Sequence, residues 1–255
     1  MSDTVRQPVI QSVSRAISIL RCFDGDAHFS LSEISRMVGL HKSTTAGIIN
    51  TLKAEGFLDQ DESTGKLRLG LALFSLAVQA RRGIVEICEP HLNTLLNLTG
   101  ETVNLAVLDK TEIVYIAKKE SNHSVRISTS VGKHLPLYCT AIGKSILASM
   151  HRSEAEALVE MIDFIPFTEN TLKDKEQLLT ALETVRREGV AYDFEEFQPG
   201  LICISAPLCY RRNNPIAAIS VSGPTLRIND KVRREIAGVV KEIADKICVE
   251  LASLG

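Results

Sequence analysis

Long apolar segments are missing from this sequence. No run among its 255 residues approaches the ~18 apolar residues that a membrane helix needs. The first six residues include an acid and do not lead into an apolar segment, so they are unlike a secretory signal peptide. We therefore expect a cytoplasmic protein.

Closely spaced cysteines are also missing, although the sequence contains six cysteines. No two of them are two or three positions apart, which excludes the CxxC pairs typical of zinc sites and redox motifs. We expect reduced and mostly buried thiols. The six are Cys22, Cys88, Cys139, Cys203, Cys209 and Cys248.

The sequence signatures of common enzymes are absent as well. It contains no GxGxxG, GxSxG or HExxH pattern. Gly143-Lys144-Ser145 resembles the end of a P-loop, but Tyr138 stands where that motif requires its first glycine. We therefore predict a non-enzyme with no catalytic residues, no metal ion and no cofactor.

A bulk excess of positive charge is the last absence. The formal net charge is −2, and residues 1–80 contain eight Lys and Arg against eight Asp and Glu. Any contact with nucleic acid must therefore come from a local patch of the surface.

The first part of the chain has the pattern of a small helical domain. Ser30–Glu33 reads as a capping box that starts a helix, and two short alternating segments follow the last helix. This order predicts a winged helix-turn-helix domain over residues 10–70. The expected elements are helices at about Val13–Phe23, Leu31–Val38 and His41–Glu55, and strands at Phe57–Asp59 and Lys66–Leu69. The third helix is expected to bury Thr45, Ile48, Ile49 and Leu52.

The start of the third predicted helix carries basic and hydroxyl side chains. No acid lies between Glu33 and Glu55, and the first turn of a recognition helix is the part that enters the major groove. Basic residues on the wing can contact the DNA backbone. The alternative is a solvated face on a winged helix that docks onto protein. The candidate DNA contacts are Ser32, Arg36, His41, Lys42, Ser43, Thr44, Thr45, Lys66 and Arg68.

Residues 71–83 are predicted to form a linker helix. Leu71–Ala80 is strongly apolar with helical periodicity. A mostly apolar helix between two domains needs a cover. That cover is either the winged helix domain of the same chain or a partner subunit.

Residues 84–255 alternate between hairpins and helices. This mixture predicts an α+β fold in which helices pack on an antiparallel sheet. The expected elements include strands at Glu101–Leu108, Thr111–Lys118 and Ser124–Val131, helices at Ala141–Met150 and Leu172–Glu188, and a closing helix at Asp230–Leu254.

Two groups of residues in this second domain could hold a small molecule. Thr140 is a plausible N-cap, which would leave the amides at the start of the next helix free to bind a carboxylate, although ordinary capping explains it equally. Asp193, Cys203, Ser220 and Ser222 place small polar groups near apolar strands, as in a ligand pocket. Taken singly, each of these four also fits a structural role.

An enzyme that uses Cys203 as a nucleophile beside Asp193 is a remote alternative. No histidine is close to either residue in the sequence, which counts against this alternative, although folding can bring a distant histidine to such a pair.

Seven stretches of the chain resemble the IclR family of bacterial transcriptional regulators. Four lie in the predicted helix-turn-helix and three in the second domain, and the resemblance extends over about residues 10–255. The seven are Ser12–Leu20, Leu31–Ser35, Gly39–Thr44, Leu52–Leu58, Pro136–Lys144, Gly189–Leu201 and Ala217–Pro224.

The resemblance implies a ligand-responsive DNA-binding regulator, most often a repressor that a metabolite releases, with an activator as the alternative. It implies a GAF-like effector-binding and oligomerisation domain over residues 84–255, and a homodimer or dimer of dimers. Its partners would be double-stranded operator DNA and a small organic acid, with no membrane. By position, the effector pocket would be lined by Ala141, Ile142, Asp193, Leu201, Cys203, Ser220 and Ser222.

Overall fold

The chain divides into two compact units, residues 1–82 and 83–255. The structure, a computed structural model, describes residues 10–23, 28–81, 84–126, 130–211 and 214–253. Residues 82–83, where the linker helix was predicted to end, and residues 254–255 lie outside the described residues.

Unit 1 contains a winged helix-turn-helix. Its two strands pair antiparallel, with Leu58 opposite Leu69, and form the wing. The elements are α1 (Gln11–Leu20), α2 (Leu31–Met37), α3 (Lys42–Ala54), β1 (Leu58–Gln60), β2 (Leu67–Leu69) and α4 (Leu71–Arg81).

Local hydrogen bonds fix the starts of α2 and α3. The predicted capping box is present: the Ser30 amide donates to Glu33 Oε2 at 2.7 Å, and the Glu33 amide donates to Ser30 Oγ at 3.4 Å. His41 caps α3, because its Nδ1 accepts the Ser43 amide at 3.4 Å. Between the two helices Gly39 has a φ of +64°, a conformation that favours glycine.

The core of unit 1 forms where the three helices meet the wing. The predicted burial of Thr45, Ile49 and Leu52 is confirmed, whereas Ile48 is only half-buried. The buried apolar side chains are Ile19, Phe23, Ile34, Ile49, Leu52, Leu58 and Leu67.

Unit 2 is a six-stranded antiparallel sheet with helices on both faces, as the α+β prediction requires. The strand order is β5-β4-β3-β8-β7-β6. The elements are α5 (Ile84–Thr99), β3 (Thr102–Asp109), β4 (Glu112–Lys119), β5 (His134–Pro136), α6 (Ala141–Ser149), α7 (Arg152–Val159), α8 (Lys175–Glu188), β6 (Ala191–Phe194), β7 (Leu201–Arg211), β8 (Asn214–Pro224) and α9 (Asp230–Ala252).

Two apolar clusters lie on opposite faces of this sheet. Helices α5 and α9 pack on one face, through residues such as Leu92 and Val240 against Ile204. Helices α6 and α8 cover the other face, through residues such as Ile146 and Leu182. The side chains of the sheet that face α6 are therefore the ones that can line a site beside the first turn of this helix.

Two predicted elements of unit 2 differ from the structure. The described part of Ser124–Val131 is not in a strand; His134–Pro136 forms the edge strand instead, and Val125 and Val131 are exposed. Helix α8 begins at Lys175 rather than near Leu172, because Asp174 Oδ1 accepts the Gln177 amide at 2.9 Å and caps the helix there. In the ranges the structure describes, no helix combines the length and apolar character needed to cross a bilayer.

Candidate DNA-binding surface and ligand cavity

The first turn of α3 presents a polar surface. His41, Lys42, Ser43 and Thr44 are all exposed. The His41 ring is held by Ser43, whose Oγ lies 2.8 Å from His41 Nδ1. Lys42 has no ion-pair partner among the described residues, so its charge is available to a phosphate.

Thr45 does not belong to this surface. Its side chain is 0% exposed, and its hydroxyl donates to the His41 carbonyl at 3.1 Å. The helical period turns it toward the core, so the two predictions made for Thr45, burial and DNA contact, are incompatible. Of the two candidates on α2, Ser32 is half-buried and Arg36 is exposed.

The wing carries one unpaired and one paired cation. Lys66 is exposed and has no ion-pair partner among the described residues. Arg68 donates to Asp59 Oδ2 through Nε at 2.9 Å, and this bond lowers the pKa of the Asp59 carboxyl. DNA must compete with Asp59 for Arg68, whereas Lys66 can meet a phosphate directly.

A cavity of about 40 Å³ lies in unit 2 beside the start of α6, and all seven predicted effector contacts line it. The seven come from the first turn of α6 and from three neighbouring strands. The complete lining is Tyr115, Lys133, Leu135, Thr140, Ala141, Ile142, Asp193, Phe197, Gln198, Leu201, Cys203, Ser220 and Ser222.

Strand register brings the polar side chains together. Asp193 on β6 lies opposite Cys203 on β7, and Cys203 lies opposite Ser222 on β8. These three residues therefore form one row across the sheet. Ser220 lies two positions before Ser222 on β8, so both side chains are on the same face of the sheet. Behind the row, Asn104 Nδ2 donates to Ser222 Oγ at 3.4 Å.

The first turn of α6 faces the same cavity with free donors. Thr140 is the predicted N-cap, and its Oγ1 accepts the Gly143 amide at 3.2 Å. The amides of Ala141 and Ile142 make no hydrogen bond to any described residue, so they can receive an oxygen ligand. Gly143 is required here, because a Cβ would lie 2.0 Å from the Leu137 carbonyl oxygen.

Asp193 is the titratable group of the cavity. Its side chain is 1% exposed, and its Oδ1 accepts the Glu196 amide at 2.7 Å. The pKa of Asp193 is raised to about 7, chiefly by burial and also by the Glu196 carboxylate, although hydrogen bonds from the Glu196 and Phe197 amides and the Lys144 ammonium act to lower it. Lys144 and Glu196 form a buried ion pair beside it. Two carboxylates thus share one cation in this region.

Cys203 lacks the surroundings of a catalytic nucleophile. Burial first, and the Asp193 charge next, raise the pKa of its thiol well above the ordinary value, so the thiol stays protonated. No histidine is among the described residues that line the cavity. The remote enzyme alternative therefore lacks the thiolate that a cysteine nucleophile needs, and no histidine lies beside Cys203 in the described lining of the cavity.

Several cavity residues escaped the sequence reasoning. Tyr115 and Lys133 lie outside every stretch that the sequence marked, whereas Phe197 and Gln198 lie within the marked stretch Gly189–Leu201 but were not assigned to the pocket. Alternation along β4 could have identified Tyr115, but Lys133 reaches the cavity only through the path of the chain before β5. Within the described ranges, no three potential metal ligands cluster together.

Comparisons with known proteins cover both units. Residues 12–62 match the family described as "IclR helix-turn-helix domain", and residues 76–249 match "Bacterial transcriptional regulator IclR C-terminal". The HTH-type transcriptional regulator XynR of Escherichia coli (strain K12) is 37% identical over 226 residues, which cover 88% of this chain and 90% of that protein.

A second relative and one solved structure extend the comparison. The transcriptional repressor IclR of Escherichia coli (strain K12) is 30% identical over 243 residues, covering 93% of this chain and 89% of that protein. An IclR homolog from Microbacterium hydrocarbonoxydans, complexed with 4-hydroxybenzoate, has a TM-score of 0.84 at 22% identity, covering 95% and 99% of the two chains. The last likeness supports the fold.

Proposed function

The chain belongs to the IclR family of bacterial transcriptional regulators, and on that premise we propose that it is a repressor released from operator DNA by a small organic acid. One observation carries the ligand part of this proposal. The seven residues that the family resemblance marks as effector contacts line a single cavity in unit 2. Because its target would be DNA, the proposed repressor would act in the bacterial cytoplasm.

For the DNA-binding part, we assign residues 10–70 to operator recognition. Lys42, Ser43 and Thr44 are the exposed side chains at the start of α3, where a recognition helix meets base edges and phosphates. Lys66 on the wing supplies a backbone contact, as does Arg68 once it leaves Asp59. Arg36, His41 and half-buried Ser32 complete the proposed surface, and Thr45 is left out of it.

For the ligand part, we assign residues 84–255 to effector binding and oligomerisation. The free amides of Ala141 and Ile142 suit a carboxylate. Asp193 then repels the acid unless it is protonated or accepts a ligand hydroxyl. The site therefore favours acids that also carry a hydroxyl, keto or aldehyde group. The structure of an IclR homolog with a similar fold, complexed with the hydroxy acid 4-hydroxybenzoate, supports this choice of ligand class.

The size of the cavity implies that binding changes the structure. Its volume of about 40 Å³ is well below the ~300 Å³ of a typical ligand pocket. Phe197 and Gln198, which follow the buried Glu196, form the covering segment, and Gln198 is exposed. An entering acid would displace this segment. The acid would then bind the displaced conformation better than the closed one, and a ligand shifts a conformational equilibrium only through such a difference in affinity.

For assembly, we propose a homodimer, or a dimer of dimers, that uses α4 (within the predicted linker, residues 71–83) as one contact. Leu71, Phe74 and Leu76 on this helix are 79%, 64% and 51% exposed. Such a run of exposed apolar side chains is typical of a surface that a second copy covers. Two recognition helices in a dimer would read two half-sites spaced by about one helical turn or a multiple.

The proposal is tested by a gel-shift titration of the full-length protein on the DNA upstream of its own gene, with and without a panel of small hydroxy and keto acids. We expect salt-dependent binding that one acid weakens. Binding that an acid strengthens would indicate an activator. Absence of binding at low salt would favour a protein-docking winged helix. An Asp193→Ala variant that keeps DNA affinity and the full ligand response would remove the cavity assignment.

A further inference from the structure

Lys133 approaches the cavity from the side opposite Asp193. Asp193 lies on β6, one edge strand of the sheet, and Lys133 directly precedes β5, the other edge strand. Both residues line the same cavity, because the sheet curls around it. The cavity is therefore lined by an acidic residue from one edge strand of the sheet and by a basic, exposed residue that precedes the other edge strand.

The backbone of Lys133 is anchored at this place. The Tyr115 amide donates to the Lys133 carbonyl at 3.2 Å, and the Gly132 amide donates to the Tyr115 carbonyl at 2.7 Å. Gly132 has a φ of +88°, which turns the chain so that the following residue runs alongside β4. Lys133 thus enters the cavity beside the Tyr115 ring rather than from a free loop.

The charge of Lys133 has no partner within the described residues, unlike that of the buried Lys144, which pairs with Glu196. Asp109 and Glu112 contact the next residue, His134, rather than Lys133. Among the described residues that line the cavity, Lys133 is the sole cation. It is therefore the group available to a second negative charge on a ligand.

Two residues that carry hydroxyl groups also line the cavity. Tyr115 is 5% exposed and Ser220 is 1% exposed, and no hydrogen bond joins either hydroxyl to a described residue. Hydroxyl groups that line a cavity can donate to or accept from a ligand. The polar lining thus continues from the free amides of α6 through Ser220 and Tyr115 to Lys133.

We propose that Lys133 is a specificity-determining residue that selects acids with two separated anionic groups over acids with one. One carboxylate would bind the Ala141 and Ile142 amides, a hydroxyl or keto oxygen would meet the Tyr115 and Ser220 hydroxyls, and the distal carboxylate would reach the Lys133 ammonium. This inference rests on the proposed function of the cavity and names the class of its effector: a hydroxy or keto dicarboxylic acid.

The test is a calorimetric titration of the full-length protein with matched pairs of acids. The probes are 2-hydroxy monocarboxylates of three to six carbons and the 2-hydroxy dicarboxylates of corresponding length. We expect one diacid to bind about fivefold or more tightly than its monoacid partner at low salt, an advantage that shrinks as salt screens the Lys133 charge.

Three variants separate this role from general effects. Lys133→Met, which keeps the aliphatic stem, should reduce the diacid advantage to about twofold or less and leave the monoacid affinity unchanged. Lys133→Arg should retain the advantage. Lys173→Met removes a charge from an exposed loop position outside the cavity and should change neither affinity.

Equal binding of monoacids and diacids would overturn the inference, and so would a diacid advantage that survives in Lys133→Met. If monoacids bind and release DNA without any preference for diacids, the role of Lys133 is refuted while the regulator proposal stands. If none of the acids binds, the class of effector assigned to the cavity is wrong, and the inference is overturned with it.

Discussion

Lys144 and Glu196 form an ion pair inside unit 2, where their side chains are 5% and 8% exposed. Lys144 lies on α6, whose first turn borders the cavity, and Glu196 directly precedes Phe197 and Gln198, which line the cavity. The same Glu196 donates its amide to Asp193. This pair therefore ties the helix start, the covering segment and the titratable carboxyl into one network.

Breaking this pair is expected to destabilise unit 2. Lys144→Met leaves the Glu196 carboxylate buried without its cation, which costs about 3 kcal/mol of unfolding free energy. The double variant Lys144→Met/Glu196→Gln should lose less, because no buried charge is left alone. Urea unfolding followed by tyrosine fluorescence reports unit 2 specifically, since the sequence has no tryptophan and its four tyrosines all follow residue 83. A loss below about 1 kcal/mol in the single variant would contradict this account.

The stability of unit 2 should fall as pH rises toward 7. Burial raises the pKa of Asp193 in the folded protein to about 7, from an ordinary value of 3.8. Between these two values the folded protein holds a proton that the unfolded chain has released, so each rise in pH favours unfolding. Above pH 7 both states are ionised, and the contribution of Asp193 stays constant.

Comparison of Asp193→Asn with the unchanged protein checks this dependence. The wild type should lose about 2 kcal/mol of unfolding free energy between pH 5 and 7 that the variant does not lose. Asp163→Asn, at an exposed position outside the cavity, serves as the matched control and should follow the wild type. An identical slope in Asp193→Asn and the wild type would show that Asp193 does not titrate in this range.

Gly47→Ala should stabilise α3. Gly47 lies inside the helix, and a Cβ added there meets nothing within 4 Å. Replacing a glycine by alanine in such a position gains about 0.5–1 kcal/mol. Hydrogen exchange of the α3 amides should slow by a few-fold in this variant. Gly39→Ala is the contrasting control, because a φ of +64° makes that substitution unfavourable.

Lys66 is expected to contribute equally to the affinity for any DNA sequence, because we assign it a phosphate contact. Removing one phosphate contact in Lys66→Met should lower the slope of log affinity against log salt by about 0.9. Lys42→Met, at the start of α3, should also weaken binding and should lower discrimination between operator and random DNA if α3 enters the major groove as proposed. Fluorescence anisotropy at several salt concentrations measures both effects. An unchanged slope in Lys66→Met would place the wing away from DNA.

The sequence predicted most elements whose stabilising signals are local. The Ser30–Glu33 box starts α2, and Thr140 caps α6, as expected from residue type and spacing alone. The strand placed at Ser124–Val131 was wrong where it is described, because alternation alone does not show which segment pairs with β4. Burial of Thr45 followed from helical period, although that residue was also assigned to DNA.

The cavity is formed by residues that are distant from one another in the sequence. Residue type grouped Asp193, Cys203 and Ser222 as a candidate pocket, and the family resemblance assigned them to one, but neither gave the register of the three strands that aligns them in a row. Tyr115 on β4 and Lys133 before β5 lie toward the edge of the sheet opposite to Asp193 on β6, so nothing in the local sequence connects them with Asp193. The pairing of Lys144 with Glu196 is equally a product of the folded chain.

The central claim is that an acid bound in the cavity changes the affinity for DNA. It is tested most directly by fluorescence anisotropy of labelled upstream DNA, titrated with the wild type, Ser220→Val and Ser205→Ala, each with and without the acid selected from the panel. Ser220 lines the cavity, whereas Ser205, its cross-strand neighbour, is buried outside it. We predict that all three proteins bind DNA and that Ser220→Val alone loses the response to acid. A Ser220→Val protein that responds as the wild type does would contradict the account.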